Sequence, residues 1–151
     1  MNAVFKTWKT SRNLAAAYFD NYSLEQLNKI PAGFSNNLIW NIGHVIAAQQ
    51  SLIYRLSSQP MLITEELFNT YKPGSKPTGQ TTAAEAAELK HLLTALIEPA
   101  EKDFYSGKFT TFTERTTGTG FHLGNLEDAF EFNNYHEGLH LGFMMNIRKF
   151  V

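Results

Sequence analysis

Cysteine is absent from the 151 residues of the chain. Its absence excludes a disulfide framework, a cysteine nucleophile and any zinc or iron–sulfur site that is built on thiolates. Sulfur chemistry at this protein therefore requires a sulfur atom that a small molecule brings with it.

An excess of charge of either sign is also missing. The chain has 13 Lys and Arg and 14 Asp and Glu, which gives a formal net charge of -1. Residues of neither sign are clustered in a long run. The chain therefore lacks the basic stripe that nucleic acids and anionic membranes attract, and we expect neither as a partner.

Long apolar runs are missing as well. Residues 31–54 contain no Asp, Glu, Lys or Arg, but Asn, Gln and His side chains interrupt this stretch, so a bilayer span would bury too many polar groups. Residues 1–9 show no apolar block of the kind found in secretory signals, which predicts a cytoplasmic location.

The composition predicts one globular domain over residues 1–151. Hydrophobic residues make up 43% and charged residues 18% of the chain, which is enough apolar material for one core, and the length is that of one ordinary domain.

Apolar residues recur with helical spacing over most of the chain. The pattern predicts four long helices at about residues 2–22, 35–56, 82–98 and 125–148. Short helices are expected after Ser23 and Thr64, and Pro99 should kink or end the third long helix. The Pro- and Gly-rich stretch 72–80 predicts a loop or crossover, and residues 110–120 an irregular loop or a small hairpin.

These elements predict an all-α fold, a four-helix bundle with at least one long crossover and short extra helices. The second long helix is apolar on more than one face, which indicates a helix buried between its neighbours.

Histidine spacing indicates a metal site. His136 and His140 are four residues apart in the last helix, so their side chains point roughly 40° apart on one face. His44 lies in the second long helix and can face this pair if the two helices are neighbours. Three imidazole nitrogens suit zinc, nickel, iron or copper and leave a coordination position open. His91 and His122 have no second histidine at such a spacing and are expected on the surface or in a loop.

The segment from His136 to His140, HEGLH, also matches the H-E-x-x-H pattern of zinc proteases, in which the glutamate polarises a metal-bound water. No His, Asp or Glu follows His140, so a third ligand must come from upstream. A metallohydrolase is therefore a less favoured alternative.

Two segments together resemble a known family. Residues 37–45, NLIWNIGHV, carry a Trp-x-x-x-His pattern, and residues 131–142, EFNNYHEGLHLG, carry His-x-x-x-His. In this order and in these helices they resemble the DinB-like (DinB/YfiT) superfamily of helical-bundle metalloproteins, over essentially the whole chain.

The resemblance implies a four-helix bundle, usually a homodimer, that holds a divalent ion through His44, His136 and His140. Characterised relatives include transferases that attach low-molecular-weight thiols such as bacillithiol or mycothiol to electrophiles, and thiol-dependent isomerases. The resemblance therefore implies a small-molecule thiol and an electrophilic substrate as partners, and it does not identify either.

This implied chemistry agrees with the residues. A cation stabilises a thiolate, which can then attack an electrophile. Glu137, Asn41 and Tyr135 are candidates for supporting the metal ligands or for handling a proton. Two alternatives stay open at this point: a non-catalytic metal-binding bundle acting in stress response or as an interaction protein, and a bundle whose histidines merely pack.

Overall fold

The computed structural model describes all residues, 1–151, and is predominantly helical. The α-helices are α1 (Asn2–Ala16), α2 (Tyr18–Asn21), α3 (Leu24–Asn28), α4 (Leu38–Gln49), α5 (Glu65–Tyr71), α6 (Ala83–Ala95), α7 (Ile97–Tyr105) and α8 (Leu126–Ile147). A π-helical segment, Gln50–Arg55, continues α4, and a 3₁₀ turn, Arg148–Phe150, follows α8. The predicted all-α class is confirmed.

Side-chain caps fix the beginnings of most helices. Ser23 and Thr82 each form a full capping box, in which the residue three positions later bonds back to the cap backbone. Asn37, Thr64 and Asn125 accept a hydrogen bond from the backbone N–H three residues on. Each cap supplies a partner to a backbone donor that the helix itself leaves free.

Three predicted helix limits need correction. The first long helix divides at Ala17, which keeps helical torsion angles. The second changes to π-helix at Gln50, and the third breaks at Leu96 rather than near Pro99. Pro99 is the third residue of α7, and there its missing N–H is not needed by the helix, so the proline follows the break instead of causing it.

Four helices form the bundle. Helix α1 packs on α6 and α8, and α4 packs on the same two helices, so α1 and α4 occupy opposite corners. The connection between α1 and α4, which contains α2 and α3, is therefore a crossover. Every residue of α4 is buried, as its all-round apolar pattern predicts.

No helix in the structure combines the length and the hydropathy that a membrane crossing requires.

The segment before α8 is a small antiparallel hairpin of β1 (Arg115–Thr116) and β2 (His122–Leu123). For residues 110–120 the sequence left an irregular loop or a small hairpin open. Residues 110–114 have no regular secondary structure, and the hairpin begins at Arg115 and has its second strand beyond Gly120. Strand β2 packs on α8, which places the hairpin tip beside the first half of that helix.

Candidate metal centre

Three imidazoles from two helices meet in the structure. His44 of α4 and His136 and His140 of α8 bring their candidate ligand atoms within 4.8 Å of one another. The ring centroids are separated by 5.2 Å for His44 and His136, 4.7 Å for His44 and His140, and 4.6 Å for the α8 pair. The convergence expected from the sequence is present because α4 and α8 are neighbours.

A backbone carbonyl orients His44. Its Nδ1 lies 2.7 Å from the carbonyl oxygen of Tyr71, at the end of α5. Because a carbonyl oxygen only accepts, Nδ1 carries the hydrogen and Nε2 keeps a free lone pair. Gly43 allows this approach, since a Cβ there would overlap the Tyr71 ring.

Asn41 orients His140. The His140 Nδ1 lies 2.7 Å from the Asn41 side-chain oxygen. The Asn41 amide nitrogen donates to the Asn37 carbonyl and to the Asn36 side chain, which turns its oxygen toward the imidazole. His140 therefore holds its hydrogen on Nδ1 and presents Nε2. Groups of this kind fix the orientation and the tautomer of a metal-binding imidazole.

We expect Asn41→Ala to weaken zinc binding by about 10–100-fold, because the His140 ring loses the acceptor that selects its tautomer. Competition with a chromophoric chelator measures this affinity. Asn36→Ala is the matched control, since it removes one neighbour of the Asn41 amide and leaves the bond to His140. Equal zinc affinities for the two variants would contradict a positioning role for Asn41.

His136 has an unmet hydrogen-bonding capacity. Its Nδ1 is buried and has no protein partner, and the ring stacks on Phe132 at 5.9 Å. A buried polar atom without a partner costs free energy. Together with a donor set of three imidazoles, this unpartnered ring nitrogen fits a bound divalent cation. Zinc, nickel and iron all accept such a set.

Burial keeps the three imidazoles in the form that binds metal. Desolvation lowers the pKa of His44, lowers that of His136 to about 4 and lowers that of His140 to about 3. Repulsion from the neighbouring imidazoles lowers the pKa of the two α8 histidines further. At neutral pH all three are therefore neutral, and no proton has to leave before a cation binds.

A cavity of about 260 Å³ adjoins the histidines. His44 and His136 form part of its wall, together with largely apolar side chains of α4, the π-helical segment and α8 and with the tip of the hairpin. Tyr135, a candidate from the sequence, lies on this wall and is half-exposed. The histidines thus face a space of a size suited to part of a small molecule.

Glu137 has a different place from the one that the H-E-x-x-H pattern requires. Its side chain is buried away from the three-histidine group. One carboxylate oxygen accepts from Trp8 at 2.8 Å, from Arg12 at 2.8 Å and from Asn133 at 2.9 Å, and the other accepts from Arg12 at 2.7 Å. Adjacent helical residues point about 100° apart, so Glu137 faces α1 while His136 faces α4.

Glu137 therefore has a structural role, and the structure does not support the proton-handling role considered from the sequence. The metallohydrolase alternative loses its general base, since both carboxylate oxygens are already occupied by buried donors.

Arg12 is the residue that sequence reasoning missed. It is fully buried and also donates to the backbone carbonyls of Leu93 and Val45, so it joins α1 to α4, α6 and α8. The sequence does carry a signal. Phe5, Trp8, Arg12 and Ala15 form the buried stripe of α1, and an arginine at helical spacing on an apolar stripe requires a buried partner.

The two remaining histidines lie outside the group. His91 and His122 are exposed, and His122 lies 3.7 Å from Glu114. Both therefore lie at the surface, as expected, His91 in α6 and His122 in strand β2.

Comparison with known proteins adds a family assignment. A family model described as the DinB superfamily matches residues 7–144. A search of the curated proteins finds no match. The match extends over nearly the whole bundle and includes α4, most of α8 and the three histidines that these helices bring together. The chain belongs to the DinB superfamily.

Proposed function

We propose that this protein is a metal-dependent enzyme that transfers a low-molecular-weight thiol to an electrophilic small molecule. The observation that supports it most is a group of three neutral imidazoles, two of which, His44 and His136, line a largely apolar cavity. The complete absence of cysteine means that the sulfur nucleophile must come from a bound thiol.

Each of the three histidines has a defined part. His44, His136 and His140 would hold the divalent ion, with zinc, nickel or iron as candidates. Tyr71 and Asn41 keep two of the rings turned toward the common centre. When bound, a divalent cation lowers the pKa of a thiol that reaches it and so supplies the nucleophilic thiolate at neutral pH.

The cavity walls provide the remaining requirements. Apolar side chains such as Leu52, Phe132 and Leu139 keep water away from the thiolate, and this preserves its reactivity. In the reaction, sulfur forms a bond to the electrophilic carbon, the leaving group departs with its bonding electron pair, and the thiol proton is released. Tyr135 at the cavity wall can donate a hydrogen bond to the departing group.

The test is a conjugation assay with protein loaded separately with zinc, nickel or iron. Thiols such as glutathione, N-acetylcysteine and bacillithiol are combined with a haloaromatic or an epoxide, and product is followed by absorbance or mass spectrometry. We expect conjugation that a chelator abolishes and added metal restores. His91→Ala, at an exposed histidine outside the group, is the matched control and should retain the full rate.

Two outcomes would contradict the proposal. Conjugation that persists unchanged after chelation would exclude a role for the cation. No conjugation with any metal and thiol, combined with a large rise in melting temperature on metal binding, would favour the non-catalytic alternative, in which the ion mainly joins α4 and α8.

Assembly as a homodimer and a cytoplasmic location stay predictions.

A further inference from the structure

One charged side chain lines the cavity beside the histidines. Arg115 in β1 is a lining residue, and no Asp or Glu lines the cavity with it. Arg115 is exposed and forms no ion pair, although the surface of the chain carries several. A guanidinium group without a carboxylate partner therefore borders a cavity that is otherwise neutral.

The pleat of the hairpin directs this cation inward. Arg115 pairs with Leu123, which is buried, so the two residues share the inner face of the hairpin. Side chains alternate along a strand, so Thr117 follows on the same face and Glu114 lies on the other. The structure agrees with this alternation. Thr117 lines the cavity, whereas Glu114 lies beside His122, which pairs with Thr116 on the outer face of the hairpin.

Hydrogen bonds and aromatic contacts hold the hairpin in this position. The Thr117 backbone N–H donates to the Phe121 carbonyl at 2.8 Å, and the Phe121 N–H donates to the Thr117 hydroxyl at 3.0 Å. The Phe121 ring packs on Phe132 and Tyr135 of α8, with centroids 5.3 Å and 4.9 Å apart. Arg115 thus lies on an ordered hairpin that packs on α8, the helix that carries two of the three histidines.

An unpaired guanidinium beside an apolar cavity favours an anionic ligand. Arginine presents a planar fork of N–H donors that matches a carboxylate with two parallel hydrogen bonds. The attraction is stronger at the edge of a cavity with apolar walls than in open water. A small molecule with sulfur at one end and a carboxylate at the other has a partner for each end in this cavity.

We propose that Arg115 binds the carboxylate of the thiol co-substrate, so that the preferred thiols of this protein are anionic. This inference rests on the proposed function, because it assigns the sulfur of the same molecule to the histidine site. The hairpin tip is then the element that selects the thiol. The hydroxyls of Thr117 and Thr119, which also line the cavity, bond to each other at 3.1 Å, so one of the two keeps a hydrogen to donate to an anion.

Calorimetric titration of zinc-loaded protein with N-acetylcysteine and with N-acetylcysteine amide tests the proposal without reference to turnover. The two probes differ in the carboxylate alone. We expect the wild type to bind the acid more tightly than the amide. R115Q should weaken binding of the acid by about tenfold and leave binding of the amide unchanged, as expected for one charge-assisted contact. R115K should lie between, since it keeps the charge and loses the fork.

The matched control is K6Q, which removes an exposed positive charge of α1 that forms no ion pair and does not line the cavity. It should bind both probes as the wild type does. Zinc content and melting temperature should be the same for R115Q, K6Q and the wild type, since both positions are on the surface.

Three results would overturn the inference. If R115Q weakens acid and amide equally, Arg115 shapes the cavity and does not read the carboxylate, while the proposed function stands. If R115Q leaves both affinities unchanged and raises KM only for a carboxylate-bearing haloaromatic, the anion belongs to the acceptor. If zinc-loaded wild type binds neither thiol, the proposed function fails and the assignment of Arg115 fails with it.

Discussion

Replacing Glu137 by glutamine should lower the free energy of unfolding by about 3–5 kcal/mol, the loss typical of removing one partner from a buried ion pair. The change preserves the size of the side chain and removes the charge that Arg12 faces. Arg12 is fully buried, so its guanidinium would remain in the bundle with no anion. Urea denaturation of metal-free protein measures the loss directly.

Two further variants show whether the loss comes from this pair. Arg12→Met combined with Glu137→Leu should recover much of the stability, because apolar residues of similar volume remove the buried charge altogether. Asp20→Asn breaks the exposed ion pair with Lys90 and should cost at most about 1 kcal/mol. A Glu137→Gln protein as stable as the wild type would contradict the structural role.

Replacing His136 by alanine should abolish stable metal binding. Two imidazoles remain, and we expect zinc affinity to fall by more than about 100-fold, beyond the 10–100-fold typical of losing a group that only supports a ligand. Conjugation of thiols should fall with metal occupancy. Elemental analysis after dialysis and chelator competition measure the binding, and the thiol assay measures the consequence.

Stability separates this effect from misfolding. Metal-free His136→Ala should melt near metal-free wild type, because the lost ring is partly exposed and its Nδ1 has no protein partner. Added zinc should raise the melting temperature of the wild type and not that of the variant. His91→Ala should keep the zinc-induced shift. Full zinc content in His136→Ala would show that this residue is not a ligand.

Local features of the sequence predicted much of the fold. The capping residues Ser23, Thr64, Thr82 and Asn125 were recognisable because a cap depends on residues within one turn of helix. The π-helical segment after α4 and the break at Leu96 were not recognisable, since apolar periodicity does not report a local change in the hydrogen-bond ladder.

For the candidate site too, local features could be predicted from the sequence and tertiary contacts could not. The His136 and His140 pair was evident because residues four apart on a helix share a face. The place of Glu137 was not evident, because H-E-x-x-H describes spacing along one helix and says nothing of Trp8 and Arg12, which are more than a hundred residues away. The supporting carbonyl of Tyr71 was likewise beyond prediction, since any residue can supply a backbone oxygen.

By itself, the sequence determined the all-α class, the positions of most helix beginnings, the histidine pair of α8 and the lack of any protein thiol. Helical spacing and capping are local properties and composition is additive, so none of them depends on which distant segment of the chain packs against these residues. Tertiary structure alone decided that α4 and α8 are neighbours, that His44 points at the pair, that Glu137 joins Arg12 in the core and that Arg115 reaches the cavity. These depend on which helix faces pack together, and that is settled by the burial of the whole chain at once.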